Sequence, residues 1–160
     1  MHIRDLLIDA FGRIDEEVGQ CLGGLNAEQL AFRPREQANS IAWLAWHLAR
    51  VEDDHMSDLA GRPQAWLSDG WHERFGRPAD AHDTGFGASA DEVAEIRPES
   101  AGVLRDYFAA VHQHTLEYLR KGGRLSAAQS VVGNILSVKP LITVRDGQVV
   151  MTERQRSRAK

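Results

Sequence analysis

The sequence predicts a mainly α protein, a helical bundle in which a short helix and a C-terminal β-hairpin take the place of the last helix. Apolar residues recur every three or four positions over residues 3–22, 39–60 and 98–121, as in amphipathic helices. Near the end, Asp146-Gly147 separates the apolar runs LITVR and QVVMT. An Asp-Gly pair between such runs is typical of a β-hairpin.

The boundaries of these elements follow from local signals. Gly23-Gly24 ends the first long helix, and Gly61 ends the second. Short helices are predicted after Asn26 and Ser89, because each of these capping residues is followed three positions later by Gln or Glu. Residues 61–88 are rich in Gly, Pro, Asp and His and predict a long irregular loop, which is usually functional.

The third long helix is expected to begin at Pro98, which suits a first helical position, and to end at Lys121. A shorter helix is expected over Ala127–Ser137. It spans about 16 Å at 1.5 Å per residue, so it is shorter than the helices that it would cover.

The composition is that of one globular domain, with 42% hydrophobic and 26% charged residues. No apolar run reaches the roughly 20 residues of a membrane span, and no signal peptide is recognised at the start. One cysteine, Cys21, excludes an internal disulfide and suits a cytoplasmic location. It falls on the apolar stripe of the first helix, so a buried and inert thiol is expected.

Charge changes abruptly along the chain. Residues 1–114 carry 10 basic and 20 acidic side chains, whereas residues 115–160 carry 9 basic and 3 acidic ones. All seven histidines and all four tryptophans precede this point. The change predicts two segments of different origin. The expected division of the chain is a helical bundle over residues 1–121 and a helix with a hairpin over residues 122–160, which complete that domain or are appended to it. The acidic body, and a basic tail without interleaved aromatics, predict no nucleic-acid partner.

His47 lies in the apolar segment NSIAWLAWHLARVEDDH. A buried imidazole needs a partner, because an unpaired polar group costs on the order of 1–3 kcal/mol. The partner is either a metal ion or a hydrogen bond. No other histidine is spaced to share an ion with it on the same helix, so a metal site would need ligands from other helices, with His112 as the first candidate.

Four other side chains are candidates for a site. Asp53 and Asp54 could act as a general base or support an imidazole, or they could form the solvated acidic end of a helix. Trp71 and His72, in GWHERFG, could line a small-molecule pocket, or they could anchor the long loop by aromatic packing.

Residues 1–120 resemble the DinB-like superfamily, in the branch of the mycothiol-dependent maleylpyruvate isomerases. The segments that carry the likeness are MHIRDLLIDAFGRIDEEV, NSIAWLAWHLARVEDDH, GWHERFG, DTGFG with ADEVAEIR, and VLRDYFAAVHQHTLEYL. The resemblance implies a four-helix bundle, frequently dimeric. It also implies a divalent metal such as Zn or Ni, with His47 as the ligand from the second long helix. The two ligands that the family places on its last helix have no counterpart here, since no histidine follows Arg120.

Residues 115–160 instead resemble part of the DegV fatty-acid-binding family. LEYLRKGGR, the helix ending in SVKP and the DGQVV hairpin carry this likeness. The serine- and threonine-bearing lipid site in the other domain of that family has no counterpart in this chain.

Two functions are therefore expected as alternatives. The first is metal-dependent transfer or isomerisation with a low-molecular-weight thiol such as mycothiol. In that reading His47 and His112 bind the metal, Asp53 or Asp54 assists, and Trp71 and His72 line a pocket for a small-molecule substrate. The second is a catalytically inert helical binding or assembly protein, with lipid binding as a variant. A homodimer and no membrane partner are expected in either case.

Overall fold

The computed structural model describes residues 3–121 in full, and the backbone of residues 138–145 and 148–156. The chain divides into two units, Met1–Gly123 and Arg124–Lys160. The first unit is helical, and the described part of the second is a pair of strands. Within the described residues, no helix is long and apolar enough to cross a membrane.

The first unit contains three helices of 20 residues and four short ones. In chain order they are α1 (Ile3–Leu22), α2 (Ala27–Ala31), α3 (Ile41–Ala60), α4 (Ala65–Ser68), α5 (Trp71–Arg74), α6 (Ala90–Glu95) and α7 (Ala101–Arg120).

Capping explains where α2, α3 and α6 begin and where α3 ends. Asn26 and Ser89 each form the predicted reciprocal box, in which the side chain accepts a backbone N–H and the residue three positions later returns the bond. Ser40 caps α3 by accepting from the N–H of Trp43. Gly61, in the left-handed conformation at φ 64°, ends α3 as predicted.

The structure differs from the sequence-based expectation at two places. The last long helix begins at Ala101, three residues after Pro98, with Ser100 at its cap position. The loop over residues 61–88 contains two short helices, α4 and α5, that had not been expected. Each has only four residues, too few to show a helical period in the sequence.

The core forms where α7 packs against both α1 and α3. Its four largest apolar members come from α3, α4 and α7, and each has 1% or less of its surface exposed: Trp46, Trp66, Tyr107 and Phe108. In the described residues, α1 and α3 have few close backbone contacts with each other. Within residues 3–121, the three long helices therefore leave one corner of a four-helix arrangement open.

The described part of the second unit is an antiparallel pair, β1 (Val138–Arg145) and β2 (Gln148–Arg156). Arg145 pairs with Gln148, Val138 pairs with Arg156, and the register shifts between Leu141 and Ile142. The predicted helix over 127–137 and the predicted turn at 146–147 lie outside the described residues. Both stay predictions.

Candidate functional site

A fully buried guanidinium, Arg50 of α3, holds the long loop against the bundle. Its Nε donates to the backbone carbonyl of Asp83, and Nη2 donates to the carbonyl of Ala81 and to the side-chain oxygen of Gln64, all at 2.9 Å. Its plane lies over the Trp66 ring, 4.7 Å from the ring centre. Arg50 thus fixes three points of a segment that has little regular structure.

Asp53, one turn further along α3, is the counter-charge and is also fully satisfied. Its Oδ2 lies 3.5 Å from Nη1 of Arg50. The carboxylate accepts four hydrogen bonds, from the backbone N–H groups of residues 65 and 66 and from the hydroxyls of Ser57 and Tyr107. Burial raises the pKa of the Tyr107 hydroxyl far above its usual range, so this hydroxyl remains a donor.

Asp53 was predicted as a catalytic candidate. In the structure, its carboxylate is hydrogen-bonded to the start of the loop. It caps the start of α4 from a position 1% exposed. Asp54, the second candidate, is half-buried and accepts from the Gln64 amide at 2.7 Å. Both carboxylates therefore orient groups that hold the loop in place.

His47 is half-buried and is engaged by the same loop. Its ring stacks on Trp43, with 4.6 Å between centroids, and its Nδ1 donates to the carbonyl of Thr84. The backbone of Gly85 crosses directly over it, because a Cβ built there would lie 3.2 Å from Nδ1 and 2.7 Å from the Trp46 ring. Of the two partners considered for His47, a metal ion or a hydrogen bond, the structure shows a hydrogen bond.

His112 lies elsewhere, buried on α7. Its Nδ1 has no hydrogen-bond partner in the described residues, and Oε1 of Glu52 lies 3.9 Å away. Burial lowers the pKa of this imidazole. In residues 3–121, no three or more His, Cys, Asp or Glu side chains are grouped so that they could hold a metal ion.

Trp71 and His72 belong to an aromatic cluster on α4, α5 and α7. Trp71 is buried 5.3 Å from the Tyr107 ring, with the Arg74 guanidinium 4.5 Å from its centre. His72 packs edge-on to Trp66 at 6.4 Å. These contacts match the packing alternative, in which aromatic side chains anchor the loop.

A second polar cluster, which sequence reasoning missed, joins the three long helices. Glu52 of α3 is 8% exposed and accepts from the Thr115 hydroxyl at 2.7 Å. Burial raises the pKa of the Glu52 carboxyl to about 7; the Thr115 bond opposes this rise, and the negative charge of Asp15 adds to it. Asp15 is in turn 3.2 Å from Nη1 of Arg105.

An apolar groove lies between α1 and α3, at the open corner of the bundle. Its volume is about 500 Å³. Its walls come from the second half of α1 and the first half of α3, and they are Arg13, Ile14, Glu17, Val18, Cys21, Leu22, Ile41, Leu44, Ala45 and Leu48.

The groove corrects the expectation for Cys21. The thiol was expected to be buried because it lies on the apolar stripe of α1, but Cys21 is exposed. Of the 20 residues of α1, only Val18 and Leu22 are buried. The periodic pattern correctly identified the apolar face of α1. What it could not show is that, within the described residues, α7 covers only part of this face.

Different parts of the chain resemble different known proteins. The sequence model of a family described as "Uncharacterised protein, DegV family" matches residues 86–160. DegV domain-containing proteins of Streptomyces coelicolor and Caldanaerobacter subterraneus are each 36% identical over 74 residues, or 46% of this chain and 25% of the relative. One from Halalkalibacterium halodurans is 47% identical over 47 residues, 29% of this chain and 17% of the relative.

The chain thus spans about a quarter or less of the length of these relatives. The DegV-like likeness was predicted, but it begins earlier than expected. It starts at residue 86 rather than 115, so it includes α6 and α7 of the helical unit.

A solved structure resembles a larger part of the chain. A conserved protein from Enterococcus faecalis is 28% identical with a TM-score of 0.68, and the likeness covers 75% of this chain and 71% of that one. Residues 124–160 make up less than a quarter of the chain, so most of this likeness lies in the helical unit. The DinB-like resemblance of residues 1–120 stays a prediction.

We predict that Asp53→Asn destabilises the protein by about 3–5 kcal/mol, because it leaves the buried Arg50 charge without its counter-ion. The matched control is Asp54→Asn, which removes an acceptor at a half-buried position and should cost less than about 1.5 kcal/mol. Urea unfolding followed by circular dichroism gives both values. Equal effects of the two substitutions would show that Asp53 is not the anchor of the loop.

We predict that Glu52→Gln stabilises the protein above neutral pH. The folded state holds the Glu52 proton more tightly than the unfolded chain, so its stabilising effect is complete below pH 4.5 and is lost as pH rises through about 7. The wild type should therefore lose up to about 3 kcal/mol relative to the variant between pH 4 and 8. Unfolding free energies of both proteins across this range test it, and parallel curves would contradict it.

Proposed function

We propose that this chain is a non-catalytic binding protein that takes an amphipathic helix into the groove between α1 and α3. One observation carries the proposal. Within residues 3–121, α7 covers only part of the apolar surface of α1, although such a surface normally packs against a neighbour along its length. Six of the eight large apolar side chains that are exposed in residues 3–121 lie on these two helices, namely Ile3, Leu6, Ile14, Ile41, Leu44 and Leu48.

The shape of the groove favours a helix as its occupant. An apolar groove between two helices commonly binds a third, amphipathic helix. The bound helix inserts its side chains at positions i, i+3, i+4 and i+7 into the groove. Four of the six side chains line the groove, and covering their exposed parts would contribute roughly 1 kcal/mol each. A total of about 4 kcal/mol is close to the entropic cost of association, so we expect binding to be reversible.

Lipid binding is the second candidate, favoured by the DegV-like match. A long acyl chain would suit an apolar groove of about 500 Å³ with one guanidinium, Arg13, at its wall. However, no residue that lines this groove belongs to the matched segment 86–160. The DegV-like match therefore supports an acyl ligand but does not assign that ligand to this groove. For this reason we rank lipid binding below the binding of a helix.

Metal-dependent thiol chemistry has less support. A catalytic zinc-type site needs about three protein ligands and an open position. In the described residues, Nδ1 of His47 is already bonded to the loop, and His112 is grouped with Glu52. The thiol-transfer function, with mycothiol as the thiol, stays a prediction. A homodimer, implied by the DinB-like resemblance, would be one way to supply a helical partner.

The groove is tested with the hydrophobic dye 8-anilinonaphthalene-1-sulfonate on dilute full-length protein. Replacing Leu44 and Leu48 together by Arg should reduce dye binding at least about fivefold, because both side chains line the groove. Phe86→Arg is the matched control, since Phe86 is 93% exposed but lies outside the groove. Equal dye binding by all three proteins would refute the proposal.

Metal content distinguishes the proposed function from the enzymatic one. We expect full-length protein purified without chelators to contain well under one equivalent of Zn or Ni, with no change in His47→Ala, because a catalytic ion needs about three protein ligands. Elemental analysis measures this directly. If the wild type instead contains about one equivalent of metal, and His47→Ala contains none, the metal-dependent function is established.

A further inference from the structure

We infer that a small polar pocket between α3, α6 and residues 77–88 binds a free α-amino acid, with the ligand's two charged groups inside and its side chain against Phe86. The pocket has a volume of about 120 Å³. It shares no lining residue with the groove between α1 and α3. The inference is therefore independent of the proposed function and can fail without it.

Arg77 supplies the positive charge of this pocket. Its side chain is 16% exposed, and its guanidinium lies 5.5 Å from the centre of the Trp46 ring. Its Nε donates to Oδ2 of Asp83 at 2.7 Å, and Nη1 donates to Oε2 of Glu95 at 3.1 Å. Within residues 3–121, Nη2 donates to no acceptor. The guanidinium is thus held in place with one nitrogen left for a ligand carboxylate, and bonds between such groups are strong.

The turn over residues 85–88 adds backbone donors to the same walls. The N–H of Ala88 donates to the carbonyl of Gly85 at 3.1 Å and closes the turn. The N–H groups of Gly85, Phe86 and Gly87 have no acceptor among the described residues, and all three residues line the pocket. Successive backbone N–H groups in a turn commonly bind anionic oxygens.

Two carboxylates supply negative charge beside these donors. Within residues 3–121, Asp83 uses only Oδ2, for Arg77, and Glu92 uses only Oε2, for the N–H of Ser89. Hydrogen bonds from Ser89 lower the pKa of the Glu92 carboxyl, and the charge of Arg77 lowers it further, so Glu92 is ionised at neutral pH. One oxygen of each carboxylate therefore remains for a ligand ammonium.

The presence of both charges selects the class of ligand. A simple anion would be repelled by Asp83 and Glu92, and a simple cation would be repelled by Arg77. A zwitterion carries opposite charges a short distance apart and can match both. The pocket volume equals that of about four water molecules. This is enough for the ammonium and carboxylate of an amino acid, but a large side chain must extend outside.

Phe86 provides a surface for that side chain. It lines the pocket and is 93% exposed, the largest exposed fraction of the large apolar side chains in residues 3–121. Gly85 and Gly87 flank it in the left-handed region, at φ 83° and 74°, which other residues rarely adopt. An apolar side chain leaving the pocket would cover this ring, so we expect leucine to bind more tightly than glycine.

The test is isothermal titration calorimetry of the full chain with L-leucine and its blocked forms. Leucine should bind with a dissociation constant of about 1 mM, ordinary for so small a ligand. N-acetyl-L-leucine lacks the ammonium and L-leucinamide lacks the carboxylate, so each should bind at least about tenfold more weakly. Equal binding of either blocked form, or no binding of leucine at about 20 mM, would overturn the inference.

Glu92→Gln tests the contact with the ammonium. It should weaken leucine binding about tenfold, because the ammonium loses a charged acceptor, and it should weaken N-acetyl-L-leucine no further. Gln at this position also preserves the capping box of α6, so the fold is retained. Asp91→Asn is the matched control, since Asp91 is exposed on α6 and does not line the pocket. Equal losses in the two variants would reject the site.

Phe86→Ala tests the position of the ligand side chain. It should weaken leucine about fivefold, because the apolar contact is lost, and it should leave glycine unchanged. An equal effect on both ligands, or no effect on leucine, would overturn this placement of the amino acid.

Discussion

The buried ion pair of Arg50 and Asp53 is the constraint on which the rest of the helical unit depends. These two side chains satisfy backbone groups of a segment that otherwise has only two one-turn helices. A charge in such a place is tolerated only when it is paired and fully hydrogen-bonded. The pair also reaches Tyr107 on α7, so it connects α3, the loop and the last helix at one point.

This arrangement gives a structural role to acidic and aromatic residues of α3 and of the loop. Residues such as Asp53, Trp71 and His72 suggest chemistry in the sequence, yet here they position the loop through hydrogen bonds and ring contacts. The loop in turn places the carbonyl of Thr84 on His47. Within residues 3–121, the apolar groove between α1 and α3 is a feature that the packing does not explain.

Local signals in the sequence predicted local structure well, and long-range partners poorly. The bounds of α1 and the capping boxes at Asn26 and Ser89 were predicted because each depends on residues a few positions apart. The partners of Arg50 lie up to 57 positions away, and nothing in its neighbourhood indicates them. Burial of Cys21 was predicted from periodicity alone, which identifies the apolar face of a helix but not whether anything covers it. Similarly, the sequence placed Glu52 on the second long helix, whereas its contact with Thr115 could be found only from the fold.

The abrupt change of charge at residue 115 falls within the second half of α7, and the helix continues through it to Arg120. Residues on both sides, Val111 before the change and Leu119 after it, are buried on the same face of the helix. The two segments are therefore in phase. Each residue added or removed at the junction would rotate everything downstream by about 100°, turning Leu119 toward solvent. A change of seven residues would nearly restore the phase, so sequences joined at this point must match in helical angle as well as in composition.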